Sequence, residues 1–587
     1  MVLYIWGRGP GRQIKMDASA RQILSLAAAL LLGGCAVLPG GRAPAPVEAP
    51  APAPAAAAAG EEEPPADPLM YHILVGEIAG QRDALDVAVR HYLEAARLAR
   101  DPRVAARATR IAVYARRQAG AIAAAERWVA LAPGDLDARQ TLAILYVRTG
   151  RTDDALAQLR EVLKAGGERA FDTVAAVLAR EKDRERALAV MDRLRREAAT
   201  RPEAHLAYAR LALHAGKSEA ALAAADEALH RRPAWTEALL VRARALVRLD
   251  RRDEALADLR RGAHARPKDW RLGLAYARML VEARRFDEAR AEFSRLNALR
   301  PDDPDVIHAL GLLAIEARDW DAAVRYLGRL YAMGKRRDEA AYFLGSIFET
   351  RKRYDEALRW FGRVQRGEYR LDAQVRIARV RARKGDMAGA RALLKAMRRQ
   401  HPALAVRLFL AEGEILAEHK RHREALALYT RALAKLPDNP DLLYARALVA
   451  EKLDRLDLVE ADLRRILAKD PDNVHALNAL GYTLADRTDR YQEALRYIRR
   501  ALELKPDNAA IIDSMGWVQY RLGNYELALK YLRRARELSN DPEIAAHLGE
   551  VLWVMGDRPA ARQVWESALK ESPESEILRR VLRRFLK

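Results

Sequence analysis

Cysteine is nearly absent from this chain. Cys35 is the single thiol in 587 residues, so no disulfide, cysteine-ligated metal centre or thiol nucleophile can organise the body of the molecule. Histidine is sparse, and no two histidines show the His-Glu-x-x-His spacing that puts two metal ligands on one helix face. His419 and His422 share a face, but Lys420, Arg421 and Arg423 around them repel a cation. Asp302-Asp303-Pro304-Asp305 lacks the glycine and distal glutamate of a calcium loop and reads instead as a cap between helices. There is no Gly-x-Ser-x-Gly elbow, and the glycine-rich stretch Gly7 to Gly11 precedes no phosphate-binding helix. No segment alternates like a strand. These absences leave no stretch for a catalytic domain, so the expectation is a non-enzymatic chain with no cofactor, no metal and no small-molecule substrate.

Alanine is abundant, and its placement is periodic. Ala88, Ala121, Ala155 and Ala187 begin a series that runs to Ala561 in steps of 32 to 35 residues, with Val459 in the one slot that is not alanine. Twelve residues before these positions stands a second small residue, as at Gly76, Ala243, Gly345, Gly413 and Gly549. Thr109 is the exception, and Gly481 fits after a one-residue shift whose extra residue falls in the turn around Asp486 to Arg490. Two small residues per unit let two helices cross at close range. Twelve residues after the alanine, nine of fifteen slots hold proline, from Pro133 to Pro573, which ends the second helix and restarts the chain. Segments such as Asp253-Glu254-Ala255-Leu256 read as second-helix starts, with acids at the positive end of the helix dipole. The unbroken beat predicts an all-α array of about fifteen helix pairs rather than separate globules. Residues 574–587 place Ile577, Leu578, Val581, Leu582 and Phe585 at helical spacing among four arginines, as a capping helix requires.

The N-terminus reads differently. Ile23 to Leu32 is mostly apolar, follows Arg21 and ends in Leu32-Gly33-Gly34-Cys35. Ten residues are too few to span a bilayer and suit a secretion signal. Its Leu-Gly-Gly-Cys ending resembles a bacterial lipobox, which implies cleavage before Cys35 and lipidation of that residue; Met16 then makes a compact start. Residues 35–67 are Pro/Ala-rich with little to bury, and read as an extended tether. The expected organisation is a signal over 1–34, the lipidated tether over 35–67, degenerate helix pairs over 68–202, the regular array over 203–573 and the cap over 574–587.

The small-residue framework, with Tyr482, Trp517 and Tyr520 beside it, resembles the tetratricopeptide repeat, whose 34-residue helix–turn–helix units stack into a right-handed superhelical solenoid. Tyr71 to Arg82, Arg100 to Ala105, Ala476 to Arg487, Asp513 to Trp517 and Ala545 to Trp553 are similar to the proteobacterial outer-membrane tetratricopeptide lipoproteins. That resemblance implies a lipid-anchored adaptor facing the periplasm, which binds a carboxyl-terminal processing protease and its peptidoglycan-hydrolase substrates. The alternative partners are subunits of an envelope export or assembly machine such as polysaccharide secretion. Ala36, where an aspartate would signal inner-membrane retention, favours the outer membrane by the same resemblance.

Net charge is +21. Such an excess suits nucleic acid in the cytoplasm, but not in a secreted lipoprotein, and most of the arginine is mixed with acids along helices as a solvated face. In the repeat frame, the position after the small first-helix residue faces the concave side and holds Arg210, Arg244, Arg278 and, after a gap, Arg379. Such a basic ladder suits an acidic chain. The same frame turns Asn478, Tyr482, Asp513, Trp517, Tyr520, Glu550 and Trp553 inward near the C-terminus, a mixture suited to an extended peptide or a partner helix. The Lys/Asn clamp for a terminal carboxylate is missing.

Overall fold

The computed structural model describes residues 67–586. Cys35, the apolar run before it and the proposed tether up to residue 66 lie outside the described residues. Within them the regular elements are 31 α-helices, from Pro68–Gln81 to Glu576–Phe585, and two short 3-10 turns, with no strand. No described helix is long and apolar enough to cross a membrane. The described residues fall into two compact units, 67–310 and 311–586.

The repeats share much of their local chemistry. Many first helices open on an aspartate, asparagine or serine whose side chain satisfies amides left unpaired at the helix start, whereas others, such as Pro202–His214 and Thr236–Arg248, begin without a side-chain cap. Asp135 accepts from the amides of Asp137 and Ala138, Asn439 from that of Leu442, and Ser575 from that of Leu578. Asp303, in the acidic run noted above, accepts from the amides of Asp305 and Val306 at 3.1 Å, so it is a cap. Most first helices then end on a left-handed residue five positions before the periodic alanine; Ala170–Leu178 and Val474–Arg487 do not. Gly150, Gly216, Gly385, Gly523 and Gly556 supply it in some repeats, and Asp250, Arg284 and Lys352 supply it in others at φ 58–59°. Around Asp250, the amide of Arg251 reaches back to the Leu246 carbonyl at 2.9 Å and its own amide to that of Val247 at 3.1 Å, which closes the helix end.

Every periodic alanine is sealed: Ala88, Ala155, Ala255, Ala357, Ala425 and Ala528 are all fully buried, and Val459 is 2% exposed. The second small position has a clear purpose. A Cβ on Gly76 would lie 2.7 Å from the Tyr92 ring, one on Gly345 2.5 Å from Phe361, and one on Gly481 2.5 Å from Ile498. Gly413 lies in the same way against Tyr429 and Gly549 against Trp565. The glycine on a first helix is therefore a socket for a large side chain of its own second helix, and Phe361, Tyr429 and Trp565 are completely buried there.

The mixed charges do more than solvate a face. Arg107 pairs with Glu77, Arg148 with Glu181, Arg376 with Glu349 and Arg490 with Glu460, all at 2.8 to 3.0 Å and each linking neighbouring repeats. Some pairs are buried. Asp462 is held by both ends of the Arg446 guanidinium at 2.6 and 2.8 Å, and Glu412 by Arg391 and Arg398. The last helix caps the C-terminal unit as its pattern requires: Leu578 and Val581 are buried, and Phe585 stacks 5.5 Å from Trp565.

Candidate functional site

Four successive first helices, Pro440–Glu451, Val474–Arg487, Ala509–Arg521 and Pro542–Val554, line a cavity in the C-terminal unit. It is a solvent-open cavity of about 190 Å³, with Val459 and Leu463 contributed from the helix Leu456–Lys469. Tyr444, Asn478, Asp513 and His547 occupy one register position at steps of 34 or 35 residues, and the first three line the cavity. Tyr482, Glu451, Thr483, Ser514 and Glu543 complete its polar wall.

A connected network runs beneath this wall. The Tyr482 hydroxyl donates to Glu543 Oε1 at 2.9 Å and lies 3.4 Å from His547 Nε2. On the other side of the ring, His547 Nδ1 lies 3.0 and 3.1 Å from the two Asp513 oxygens. Trp517 stacks on the imidazole, centroids 4.1 Å apart at 24°, and donates its indole N–H to Asp486 at 3.2 Å. Burial alone would lower the His547 pKa, but the Asp513 charge and hydrogen bond, with Glu543 and Asp486 further off, raise it to about 9. Burial, reinforced by Glu543, Asp486 and Asp513, pushes the Tyr482 phenol well above its ordinary value. At neutral pH the network therefore holds a protonated imidazolium and an intact phenol, fixed groups suited to recognition, and neither titrates near pH 7.

Of the residues expected to face inward, Asn478, Tyr482 and Asp513 line the cavity. Trp517 is 6% exposed and packs behind it on His547. Tyr520 donates to Glu550 at 3.3 Å, and Arg584 of the last helix reaches the same carboxylate at 3.4 Å. Trp553 stacks on Trp565 at 5.8 Å and lies tilted against Phe585 at 5.7 Å, so it packs within the C-terminal cap. Sequence reasoning missed Tyr444, Glu451, Glu543 and His547. The 34-residue register that led to Asn478 also reaches Tyr444 and His547, and it was a usable signal for both. Glu543 sits one turn before His547 and could not be found by register alone.

In the N-terminal unit the ladder positions fall on the first helices Pro202–His214, Thr236–Arg248 and Trp270–Glu282. Arg210 pairs with Asp172 at 2.5 Å. Arg244 and Arg278 have no carboxylate partner among the described residues. Partial desolvation and the charges of Arg210, Arg271 and Arg248 hold the Arg244 pKa below the usual arginine value. Arg379 belongs to the C-terminal unit and is matched by Glu414 and Glu418, both at 3.2 Å. It is therefore a neutralised member, unlike Arg244 and Arg278. Among the described residues, no group of three or more His, Cys, Asp or Glu side chains is arranged to hold a metal ion.

Comparison with known proteins bears on the same frame. A curated relative, the TPR repeat-containing protein PA4667 of Pseudomonas aeruginosa, is 38% identical over 215 residues, which are 37% of this chain and 36% of the relative. The match thus spans little more than a third of the length of that relative. Among solved structures, the chain is similar to a thermophilic TPR protein of Thermus thermophilus, TTC0263, at 27% identity, covering 31% of this chain and all of that one with a TM-score of 0.29. It is also similar to a tetratricopeptide repeat protein from Parabacteroides merdae at 23% identity, covering 35% and 82% of the two chains with a TM-score of 0.31. Family models described as tetratricopeptide repeat match residues 112–180, 246–313, 308–373, 375–440, 410–458, 444–509 and 514–576, more than half of the chain. With paired helices, sealed alanines and glycine sockets recurring at the same 34-residue interval, the chain belongs to the tetratricopeptide-repeat family.

Proposed function

We propose that this chain is a non-enzymatic scaffold that binds other proteins through the first-helix faces of its repeats, anchored by lipid at Cys35 to the periplasmic face of the outer membrane. Tetratricopeptide repeats are protein-interaction units, and the observation that carries the reading is the cavity over four first helices. It mixes polar and apolar side chains with the rings of Tyr444 and Tyr482, and burial and the neighbouring carboxylates keep the Tyr482 phenol intact and His547 protonated at neutral pH. Such a surface recognises a side chain or a segment rather than transforming a small molecule. Arg244 and Arg278 in the N-terminal unit offer a second surface, suited to an acidic segment. Two unlike surfaces on one chain allow two ligands to be held together, which makes their encounter effectively intramolecular.

The resemblance of Tyr71 to Arg82 and of the last hundred residues to outer-membrane tetratricopeptide lipoproteins supports a specific pair of ligands: a carboxyl-terminal processing protease and its cell-wall hydrolase substrates. Co-purification of the full chain from detergent-solubilised envelopes, followed by mass spectrometry, tests this. A processing protease as the main companion is expected, with a diacylglyceryl-modified Cys35 at the mature N-terminus. Export or synthase subunits as the main companions would replace the protease with the alternative partners. Hydrolysis of protein or peptidoglycan by the purified chain alone would end the scaffold reading.

A further inference from the structure

The first described repeat is missing a neighbour. Met70, Leu74 and Ile78 form a row along one side of the helix Pro68–Gln81, with Tyr71 beside it, and all four are exposed, Leu74 at 53% and Ile78 at 50%. In later repeats the same register positions are sealed. Leu408, Ile511 and Ile544 stand where Tyr71 does, Leu211, Ile415 and Val551 stand where Ile78 does, and all six are buried. Ile544 shows what seals them, since it clusters with Ala535 on the second helix of the preceding repeat. The row on Pro68–Gln81 is thus the stacking face of the array, continued to a point where no described repeat precedes it. Carried back 34 residues, the small positions Gly76 and Ala88 fall on Arg42 and Pro54, so the sequence pattern does not extend to an earlier helix pair. The last repeat differs, because Glu576–Phe585 covers it with Leu578 and Val581.

The uncovered face is complementary to itself. An antiparallel twofold copy with its axis at Leu74 sets Leu74 on Leu74 and Met70 on Ile78, so that the four-residue rows of the two helices interlock. The same operation brings Asp67, at one end of the helix, to Arg82 at the other, and Arg82 has no carboxylate partner among the described residues. Asp67 caps the helix through Oδ1 alone, accepting from the amides of Leu69 at 3.0 Å and Met70 at 3.1 Å, so Oδ2 remains for that guanidinium. Antiparallel pairing also sets the positive end of each helix dipole against the negative end of the other. A bilayer matches less well, because Pro68–Gln81 contains no lysine or arginine for the polar face of an interfacial helix. Head-to-tail stacking of copies is closed off by the helix Glu576–Phe585.

We propose that two copies of this chain pair through their Pro68–Gln81 faces as an antiparallel twofold dimer. The inference goes beyond the scaffold reading and holds whichever proteins the scaffold binds. Each dimer carries two sets of binding surfaces, so a ligand with two copies of its own is held at both.

Sedimentation equilibrium of the purified full chain in density-matched detergent tests this. A dimer is expected at about 10 μM, in the micromolar range of a modest apolar contact. Leu74→Glu puts two carboxylates face to face on the axis and is expected to weaken the dimer about a hundredfold. Its helicity and thermal midpoint should stay unchanged, because the side chain is exposed in a single copy. Arg82→Glu, at an exposed position just past the helix, is expected to weaken the dimer about tenfold through its two symmetric contacts with Asp67. A monomeric unaltered chain at that concentration overturns the proposal, and so does a dimer that survives in folded Leu74→Glu. If the unaltered chain is monomeric and Leu74→Glu loses a protein from the envelope co-purification, the face belongs to that partner. If Leu74→Glu instead opens residues 36–66 of a monomer to added protease, the face belongs to the chain's own N-terminal segment. Either result replaces the dimer.

Discussion

Gly549 and Trp565 occupy each other's space: the indole lies where a Cβ on residue 549 would have to be, and its N–H donates to the Ala546 carbonyl at 3.2 Å. A first-helix backbone and the largest second-helix side chain thus share one socket, and Trp553 and Phe585 close over the indole. Gly549→Ala should destabilise the C-terminal unit by about 1–3 kcal/mol, the usual cost of overpacking a tight core. Urea unfolding followed by circular dichroism measures it, and pairing the change with Trp565→Leu should recover part of the loss. An unchanged midpoint for Gly549→Ala would mean that the socket is not tight.

His547 gives the C-terminal unit a pH dependence of definite sign. Its folded pKa, about 9, lies above its ordinary value of 6.5. The stabilisation is therefore complete below about pH 6.5 and is lost as pH rises through about 9, amounting to roughly 3 kcal/mol at most. Unfolding midpoints measured between pH 6 and 10 should fall over this window, and His547→Gln should flatten the fall. A His547→Gln profile parallel to that of the unaltered chain would contradict the buried imidazolium.

Asp462 and Arg446 form a buried pair inside one repeat, the acid 3% and the arginine 13% exposed. Arg446→Met leaves the carboxylate unpaired and should cost about 3–5 kcal/mol, whereas Arg446→Met with Asp462→Leu should cost far less. A double-mutant cycle read by denaturant unfolding checks this. Additive effects would show that the two groups do not depend on one another.

Arg244 and Arg278 can be removed without breaking an ion pair. Changing both to alanine should leave thermal stability nearly unaltered, while binding of a ten-residue glutamate peptide at low salt should weaken about tenfold. Titration calorimetry reports the affinity, and an unaffected peptide would strike the ladder from the binding surfaces. Arg379→Ala should differ in kind: it strips the cation from Glu414 and leaves Glu418 only the more distant Arg383, so its cost should appear in stability.

The helix pairs were legible because each is written within about 34 residues. The caps, the left-handed turn residue and the alanine seal all act between near neighbours, so Asp303 as a cap and Leu578 as a capping contact could be anticipated. The glycines were legible as small, but not as sockets, because the partner at Tyr429 or Trp565 lies sixteen residues on, across the turn. The groove was legible only through register. Register placed Asn478, Tyr482 and Asp513 at the cavity, and the same inward logic put Trp553 there too, although its ring turns to Trp565 and Phe585. The charges were read as a solvated face because a pairing such as Arg376 with Glu349 joins separate repeats and leaves no local mark.

Sequence by itself determined what this protein is made of: helix pairs of one length, stacked by small residues at a constant interval, with no thiol in the repeats to staple them. These are short-range properties, settled by backbone sterics and the spacing of apolar groups. Tertiary structure alone decided which polar groups meet. The hydroxyl of Tyr482 finds Glu543 61 residues away and the imidazole of His547 finds Asp513 34 residues away, and the Asn478 side-chain oxygen is buried without a hydrogen-bond partner. These encounters depend on how each first helix is set against the next, a geometry fixed by the summed packing of several repeats.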